Sequence, residues 1–391
     1  MTAKAPSGRP QKGTILWIID GSLSRQLHKN ARLKPAAELA RSGWKVRMLT
    51  SGVPKDAESL PIDFIRVNWP NLYLVGAVVY YLRLLLLCFT AKYKADILFF
   101  QMDSFGVLML AVPLWQKIMR RKTYTVVVDY RSLPMDTLTA KGKLRSAAFH
   151  MGAALAAHLE VKVTAITEQL ARHLNVNKRQ LVGIWPSGAD ITEFADCYDK
   201  RQWPSAQDPI RLIYLGVLTE ERNLVAVIEA LRMARRRGID LQLSFVGDGP
   251  YKGYLQNYLQ PADDGCITVG GPVAYRQVPG LLARHDVGIL PFPDVSKMKV
   301  SSAIKMFEYM AAGMPVLATR IEAHRTVFGE ETFVFWCTED TTSMANTMSA
   351  IERTKNRLPA LGLDAKIYSG NWSWEKSASK LSHSLTTAIS C

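Results

Sequence analysis

Short apolar runs alternate along this chain with stretches in which apolar residues recur every three or four positions. The first run, TILWIID, reads as a buried strand and leads into a Gly21-Ser22 turn. A helical pattern follows through Ala31, Ala36, Ala37, Leu39 and Ala40, ending at Gly43. WKVRMLT, ADILFF (95–100), YTVVVD (124–129) and VKVTAI (161–166) predict four more strands, with helical stretches between them. Residues 186–208 are polar, with Pro and Asp, and read as a domain linker. The pattern then restarts. IRLIYLG (210–216) predicts a strand, 224–237 a helix with a basic end, and LQLSFVGDG (241–249) a strand entering a Gly-rich turn. CITVGG, a helix at 278–284, DVGILPF, a helix at 304–312 and PVLAT complete the second series. Strands alternating with helices predict parallel, doubly wound sheets. Two such series predict two Rossmann-like domains, with ligands at the carboxyl ends of the strands.

A length of 391 residues is ample for two cores, with no need of a disulfide or metal staple. The five Cys are scattered without a C-x-x-C pair, which argues against a disulfide framework and for a reducing compartment. Residues 1–13 are polar and basic and predict a disordered tail. The apolar stretch at 15–19 is too short for a signal peptide, so a cytoplasmic location is expected. Residues 72–91 form an apolar run interrupted by Gly76 and Arg83. Its length leaves three readings open: a helix shared between core and surface, a helix dipping into a membrane, or a span. Arg83, near its middle, weighs against a lone span.

Charge separates the two halves. The whole chain has 49 Lys and Arg against 34 Asp and Glu, a net +15. Residues 1–200 hold 28 basic and 15 acidic residues, net +13, and the remainder is nearly balanced. The first half should therefore meet an anionic partner, either nucleic acid or an anionic membrane surface. No recognisable module interleaves the basic residues with stacking aromatics, which argues against nucleic acid.

No D-x-D or H-x-x-x-H pair marks a metal site, and G-x-G-x-x-G, the P-loop and G-x-S-x-G are absent. Gly247 in GDGP suits a phosphate turn and equally an ordinary tight turn. The richest stretch is 299–319, KVSSAIKMFEYMAAGMPVLAT. Ser301 and Ser302 can cap a helix whose first free amides belong to Ala303 and Ile304, an anion site in principle. Lys305 places a cation in the first turn, where the helix dipole disfavours it unless an anion is present. Glu308 follows three residues on, on the same face. On these residues alone an ordinary amphipathic helix with a Lys–Glu pair is an equal reading.

KMFEYMAAGMPVLAT resembles the nucleotide-sugar motif of family-4 retaining glycosyltransferases, enzymes of the GT-B fold. IYLGVLTEERNLVAVIEAL, FVGDGP, DVGILPF, IWPSGADITEF and NWSWEKSASKL resemble further motifs of that family in the same order. The resemblance implies an α/β GT-B chain of two Rossmann-like domains facing across a cleft. It divides the chain into an acceptor domain at 14–185, a nucleotide-sugar domain at 186–370, and a last helix at 371–391 crossing back to the first domain. It implies that Glu308 holds the donor ribose and that Arg222 and Lys305, with the amides of Ser302, Ala303 and Ile304, meet the diphosphate. Gly216 belongs to the same donor-binding turns as Gly247. In the first domain, Gly21 resembles the glycine turn facing the donor phosphates. Asp129 and Arg131 stand where related enzymes place polar groups against the donor sugar. Val300 and Val217 occupy positions where the family carries Glu and Arg.

The expectation is therefore a retaining, metal-independent glycosyltransferase that needs no cofactor. It would transfer a hexose from a UDP- or GDP-sugar to a lipid-linked or glycan acceptor, peripherally on the inner face of a membrane. The alternatives are a catalytically weakened nucleotide-sugar-binding subunit and, less favoured, a nucleic-acid-binding protein.

Overall fold

The computed structural model describes residues 11–390 apart from 27, 28, 71–74, 104 and 135–138. The expected tail therefore lies almost wholly outside the described residues, and Gly13 already opens the first strand. The chain divides into two compact units. Unit 1 runs to Ser187 and takes in Trp374–Cys391, and unit 2 is Gly188–Ser373.

Unit 1 holds seven strands: β1 (Gly13–Ile18), β2 (Trp44–Thr50), β3 (Asp63–Arg66), β4 (Ile97–Gln101), β5 (Thr125–Tyr130), β6 (Lys162–Ala165) and β7 (Leu181–Ile184). They pair in parallel in the order β3-β2-β1-β4-β5-β6-β7. Unit 2 holds six: β8 (Ile210–Leu215), β9 (Leu241–Val246), β10 (Ile267–Gly270), β11 (Val287–Leu290), β12 (Val316–Thr319) and β13 (Val334–Cys337). Their parallel order is β10-β9-β8-β11-β12-β13. Helices cover both faces of such sheets, so central strands such as β5 are buried at every position and read as unbroken apolar runs. The sequence pattern does not predict β3, β7 or β13. All three are four-residue edge strands, and β3 and β7 are not buried at any position, so each is too short and too exposed to show a strand period.

Each sheet reverses its winding once. In unit 1 the reversal lies between β1 and β4, and in unit 2 between β8 and β11. The connections leave in opposite directions there, and a crevice opens at the carboxyl ends of the two strands.

The polar stretch expected to be a linker contains the boundary between the units, and part of it packs into unit 2. Ala189, Phe194 and Cys197 are buried in the core of unit 2, and Cys197–Lys200 is a helical turn. Its apolar residues are too sparse to announce this locally. The two chain crossings run side by side, since the amide of Ala189 donates to the Trp372 carbonyl (3.0 Å) and Ala189 bridges to Ser373. A Cβ on Gly188 would lie 2.7 Å from that carbonyl, so the approach requires glycine. The last helix, Trp374–Ser390, returns to unit 1 and buries Leu381, Leu385 and Ala388 against Ile15, Trp17 and Trp185. Ser382 accepts from the Trp44 indole (2.9 Å) and from Lys12 (3.1 Å), tying the helix to β2 and the start of the sheet.

The apolar run at 72–91 becomes the helix Val75–Phe89, its first residues lying outside the described ones. Among the described residues no helix is long and apolar enough to cross a membrane. Tyr80 and Tyr81 are buried, and the Tyr80 hydroxyl donates to the Ile19 carbonyl (2.7 Å). Their flat rings fill the space beside β1, while Val75, Val78, Leu82 and Leu86 face outward.

Candidate functional site

At the crevice of unit 2, two turns meet backbone to backbone. The amide of Gly216 donates to the Val246 carbonyl (3.0 Å) and that of Leu218 to the Asp248 carbonyl (2.9 Å). A Cβ on Gly247 would lie 1.8 Å from the Gly216 carbonyl oxygen, and one on Gly249 would lie 2.2 Å from that of Leu218. Glycine is thus the residue that lets these turns touch. The turn after β8 continues to Arg222, whose guanidinium lies over the Phe292 ring, 4.4 Å from its centroid, just beyond β11. Arg222 Nη1 meets only a weak acceptor, the Met298 thioether (3.6 Å), and its buried Nε has no hydrogen-bond partner. The guanidinium is half-buried, and a buried donor with no partner among the described residues is costly unless a strong acceptor arrives.

Beneath it lies His324, fully buried, with Nδ1 2.7 Å from the Thr319 carbonyl. That contact places the proton on Nδ1. Burial, reinforced by the charge of Arg222, pushes the imidazole pKa down to about 4, so His324 is neutral and adds no positive charge. No sequence pattern singles out this lone His.

The helix Ile304–Ala311 starts where the pattern predicts, but its cap is Ala303 and not a serine. Ala303 makes no side-chain hydrogen bond, and the Ser301 hydroxyl turns back to the Met298 carbonyl (2.8 Å). Ile304 and Lys305 therefore lead the exposed amides, rather than Ala303 and Ile304, while Ser302 is itself buried. Lys305 pairs with the buried Glu308 as the spacing predicts. Tyr275 faces Glu308, Glu193 and Asp190, and burial with these carboxylates pushes its phenol well above the usual range.

The helix is anchored through its C-terminal half. The Tyr309 hydroxyl accepts from the Leu215 amide (3.0 Å), and the Tyr309 ring lies where a side chain at Gly288 would stand. Just past the last turn the buried Arg201 guanidinium donates to the carbonyls of Ala312 (2.9 Å), Gly313 and Leu282 (3.3 Å). Neither anchor is apparent in the sequence, since one is a core aromatic and the other lies in the supposed linker.

In unit 1, Gly21 has a left-handed backbone (φ 67°), and its carbonyl accepts from the Ser51 amide (3.0 Å) and the Thr50 hydroxyl (2.8 Å). Asp129 ends β5 as expected but is buried, its Oδ1 taken by the Thr164 hydroxyl and the Trp185 indole, both at 2.8 Å. Arg131 stacks on the Trp185 ring at 3.8 Å and donates to the Trp185 carbonyl (2.8 Å), with Nε 3.9 Å from Asp129. Burial raises the Asp129 pKa and Arg131 opposes the rise. The two side chains thus tie β5 to β6 and to the segment after β7. At the crevice itself the sequence reading misses a second group: Asp20 after β1 and Asp103 after β4 line one small cavity, with Arg32, Tyr81 and Gln101 around them. An Asp closing each switch-point strand was the available signal.

Residues 209–353, within unit 2, match the family described as Glycosyl transferases group 1. The whole chain superposes on a sucrose-phosphate synthase from Thermosynechococcus elongatus with a TM-score of 0.71 at 19% identity, covering 94% of this chain and 97% of that one. It also superposes on Anabaena Alr3699/HepE in complex with UDP-glucose, with a TM-score of 0.70 at 15% identity, covering 96% and 100%. The fold is GT-B. A GDP-mannose-dependent alpha-(1-6)-phosphatidylinositol dimannoside mannosyltransferase of Mycobacterium tuberculosis is 29% identical over 142 residues, 35% of this chain and 35% of that protein. The chain spans about a third of the length of the curated relatives it matches. In this GT-B chain the similarity in sequence thus centres on unit 2, which carries Arg222, Lys305 and Glu308.

Proposed function

We propose that the chain is a retaining glycosyltransferase that moves a hexose from a nucleotide-diphosphate sugar to a hydroxyl of a lipid-linked or glycan acceptor, without a metal. The unmet donor of Arg222 at the switch point of unit 2 carries this reading. A diphosphate supplies the acceptor that the buried Nε of this half-buried guanidinium lacks, and the start of Ile304–Ala311, which has no side-chain cap, adds amides and the positive end of the helix dipole. When the bond from the anomeric carbon to the diphosphate breaks, negative charge grows on the leaving oxygen. Arg222, Lys305 and these amides stabilise it. The acceptor oxygen bonds to the same face of the anomeric carbon, and its proton passes to the leaving diphosphate. Glu308, held by Lys305, accepts from the ribose hydroxyls. Gly216 and Gly247 bring backbone close to the phosphates. In unit 1, Gly21 shapes the turn after β1, and Asp129 and Arg131 fix the loop after β5.

UDP and GDP are both supported as the nucleotide, by the neighbour bound to UDP-glucose and by the GDP-mannose-dependent relative. Calorimetric titration with UDP and with GDP decides between them. One should bind, and Glu308→Gln should weaken it several-fold with an unchanged melting temperature. Binding of neither nucleotide would sink the reading. A second reading, a nucleotide-sugar-binding subunit with weakened catalysis, is favoured by Val300, which is buried where the family places a carboxylate. Donor hydrolysis by the purified chain separates the two.

We also place the protein peripherally on an anionic membrane, at the inner face. Val78, Leu82 and Leu86 project from Val75–Phe89. The neighbouring helix Ala111–Ile118 meets it through Phe89 and Trp115, exposes Leu114 and Ile118, and runs into Met119 and the basic Arg120, Arg121 and Lys122. Exposed aliphatics beside clustered cations suit an anionic lipid surface.

A further inference from the structure

Four flat groups follow one another from the crevice of unit 2 into its core. The Arg222 guanidinium lies over the Phe292 ring, its central carbon 4.4 Å from the centroid. The Phe292 ring meets the His324 imidazole at 5.4 Å between centroids, and His324 meets Phe328 at 6.3 Å. Arg222 is half-buried and the three rings beneath it are buried. The groups come from the ends of three neighbouring strands. Arg222 follows β8, Phe292 follows β11, and His324 and Phe328 belong to the helix Glu322–Phe328 after β12. Thr319, the last residue of β12, fastens two of them. Its hydroxyl donates to the Phe292 carbonyl (2.6 Å), and its carbonyl accepts from His324 Nδ1 (2.7 Å).

The groups that touch Arg222 are uncharged. Besides the Phe292 ring it meets the Met298 thioether (3.6 Å). Glu221, its neighbour in the chain, pairs instead with Lys297 (3.6 Å), and among the described residues Arg222 forms no ion pair. A carboxylate would grip the guanidinium more firmly, but it would neutralise the charge and occupy the donors. An aromatic face attracts a cation through its quadrupole and uses none of the N–H groups.

We propose that Phe292 is a positioning residue for the diphosphate site: its ring, backed by His324, seats the Arg222 guanidinium with its charge and donors left for the second phosphate of a nucleotide. The inference rests on the reading of Arg222 as a partner of the donor diphosphate. Phe292 lies beneath Arg222 and acts through it. Loss of the ring should therefore reduce the affinity gained from a second phosphate and leave the affinity for a nucleoside monophosphate as it was. A general loosening of the core would weaken both alike.

The test is calorimetric titration of the full chain with UMP and UDP and with GMP and GDP. It reads the ratio of the monophosphate dissociation constant to that of the diphosphate. Arg222→Ala should lower this ratio about tenfold or more. Phe292→Leu should lower it about fivefold, with monophosphate binding unchanged. In the Arg222→Ala background, Phe292→Leu should lower it no further, since both substitutions remove the same contact. Trifluorophenylalanine incorporated at position 292 keeps the shape of the ring but weakens its negative face, and should lower the ratio about threefold. It also serves if Phe292→Leu does not fold, which circular-dichroism melts reveal. The proposal is overturned if both altered rings keep the wild-type ratio, if monophosphate and diphosphate lose affinity equally, or if Phe292→Leu still lowers the ratio without Arg222. A ratio that falls in Arg222→Ala but not in either Phe292 variant sinks the positioning role and leaves the donor site standing. Binding of neither UDP nor GDP, or an unchanged ratio in Arg222→Ala, sinks the reading of the donor site and the inference with it.

Discussion

Arg222 and His324 lie together in the crevice of unit 2, and only one of them carries charge. Arg222→Ala should reduce kcat more than it raises the donor KM, because the charge it meets grows in the transition state. A loss of roughly 1.5–3 kcal/mol in transition-state stabilisation is expected for one charged hydrogen-bond partner. Unchanged kinetics with lowered stability would make Arg222 a structural residue. His324 gives a pH prediction. Unfolded, it titrates near 6.5, and folded, near 4. Its contribution is therefore present above pH 6.5 and is lost as pH falls towards 4, by roughly 3 kcal/mol. In an NMR titration its imidazole should stay neutral down to about pH 5. Protonation at pH 6.5 would contradict the burial argument. Glu308 with Lys305 was legible because a spacing of three puts both on one helix face. His324 was not, since its role depends on a carbonyl and a cation delivered by other elements.

The helix Ile304–Ala311 shows what anchors a site at the level of elements. Its amphipathic pattern predicts that it exists, but not that Tyr309 fastens it to β8 or that Arg201 closes its far end. Tyr309→Phe should cost about 1–3 kcal/mol, because the Leu215 amide is left buried without its partner. Chemical denaturation followed by the transition of unit 2 measures it. Gly247→Ala should be worse for donor binding than for the rest of the fold. Its Cβ would have to push apart the turns that carry Gly216 and Arg222. If nucleotide affinity survives that substitution unchanged, these turns do not form the phosphate site.

For the whole molecule, the imbalance of charge and the outward aliphatic face point the same way. Leu82→Glu with Leu86→Glu adds two negative charges to exposed positions and touches little of the core, as both residues are more than half exposed. Flotation with anionic vesicles at low salt should fall sharply in the double variant, and in the wild type should weaken at high salt as screening shortens the reach of the basic residues. Wild-type protein that ignores anionic vesicles at low salt would end the membrane assignment.

The sequence by itself determined the alternation of strand and helix, and with it two doubly wound sheets. Central strands buried on both faces must be continuous apolar runs, and such runs are visible without any partner. It also determined the charge asymmetry and the local pairs, Lys305 with Glu308 among them. The tertiary structure alone decided the rest. Edge strands too short to show a period are fixed by the strand they pair with. Tyr80 and Tyr81 became core because β1 lies beneath them, and the supposed linker became core because unit 2 closes around Phe194 and Cys197. The orphaned Nε of Arg222 and the carboxyl pair of Asp20 and Asp103 arise from residues far apart in the chain. Only the strand order within each unit brings Asp20 near Asp103 and Arg222 near Phe292, because a site's electrostatics depends on distances through space and not on spacing along the chain.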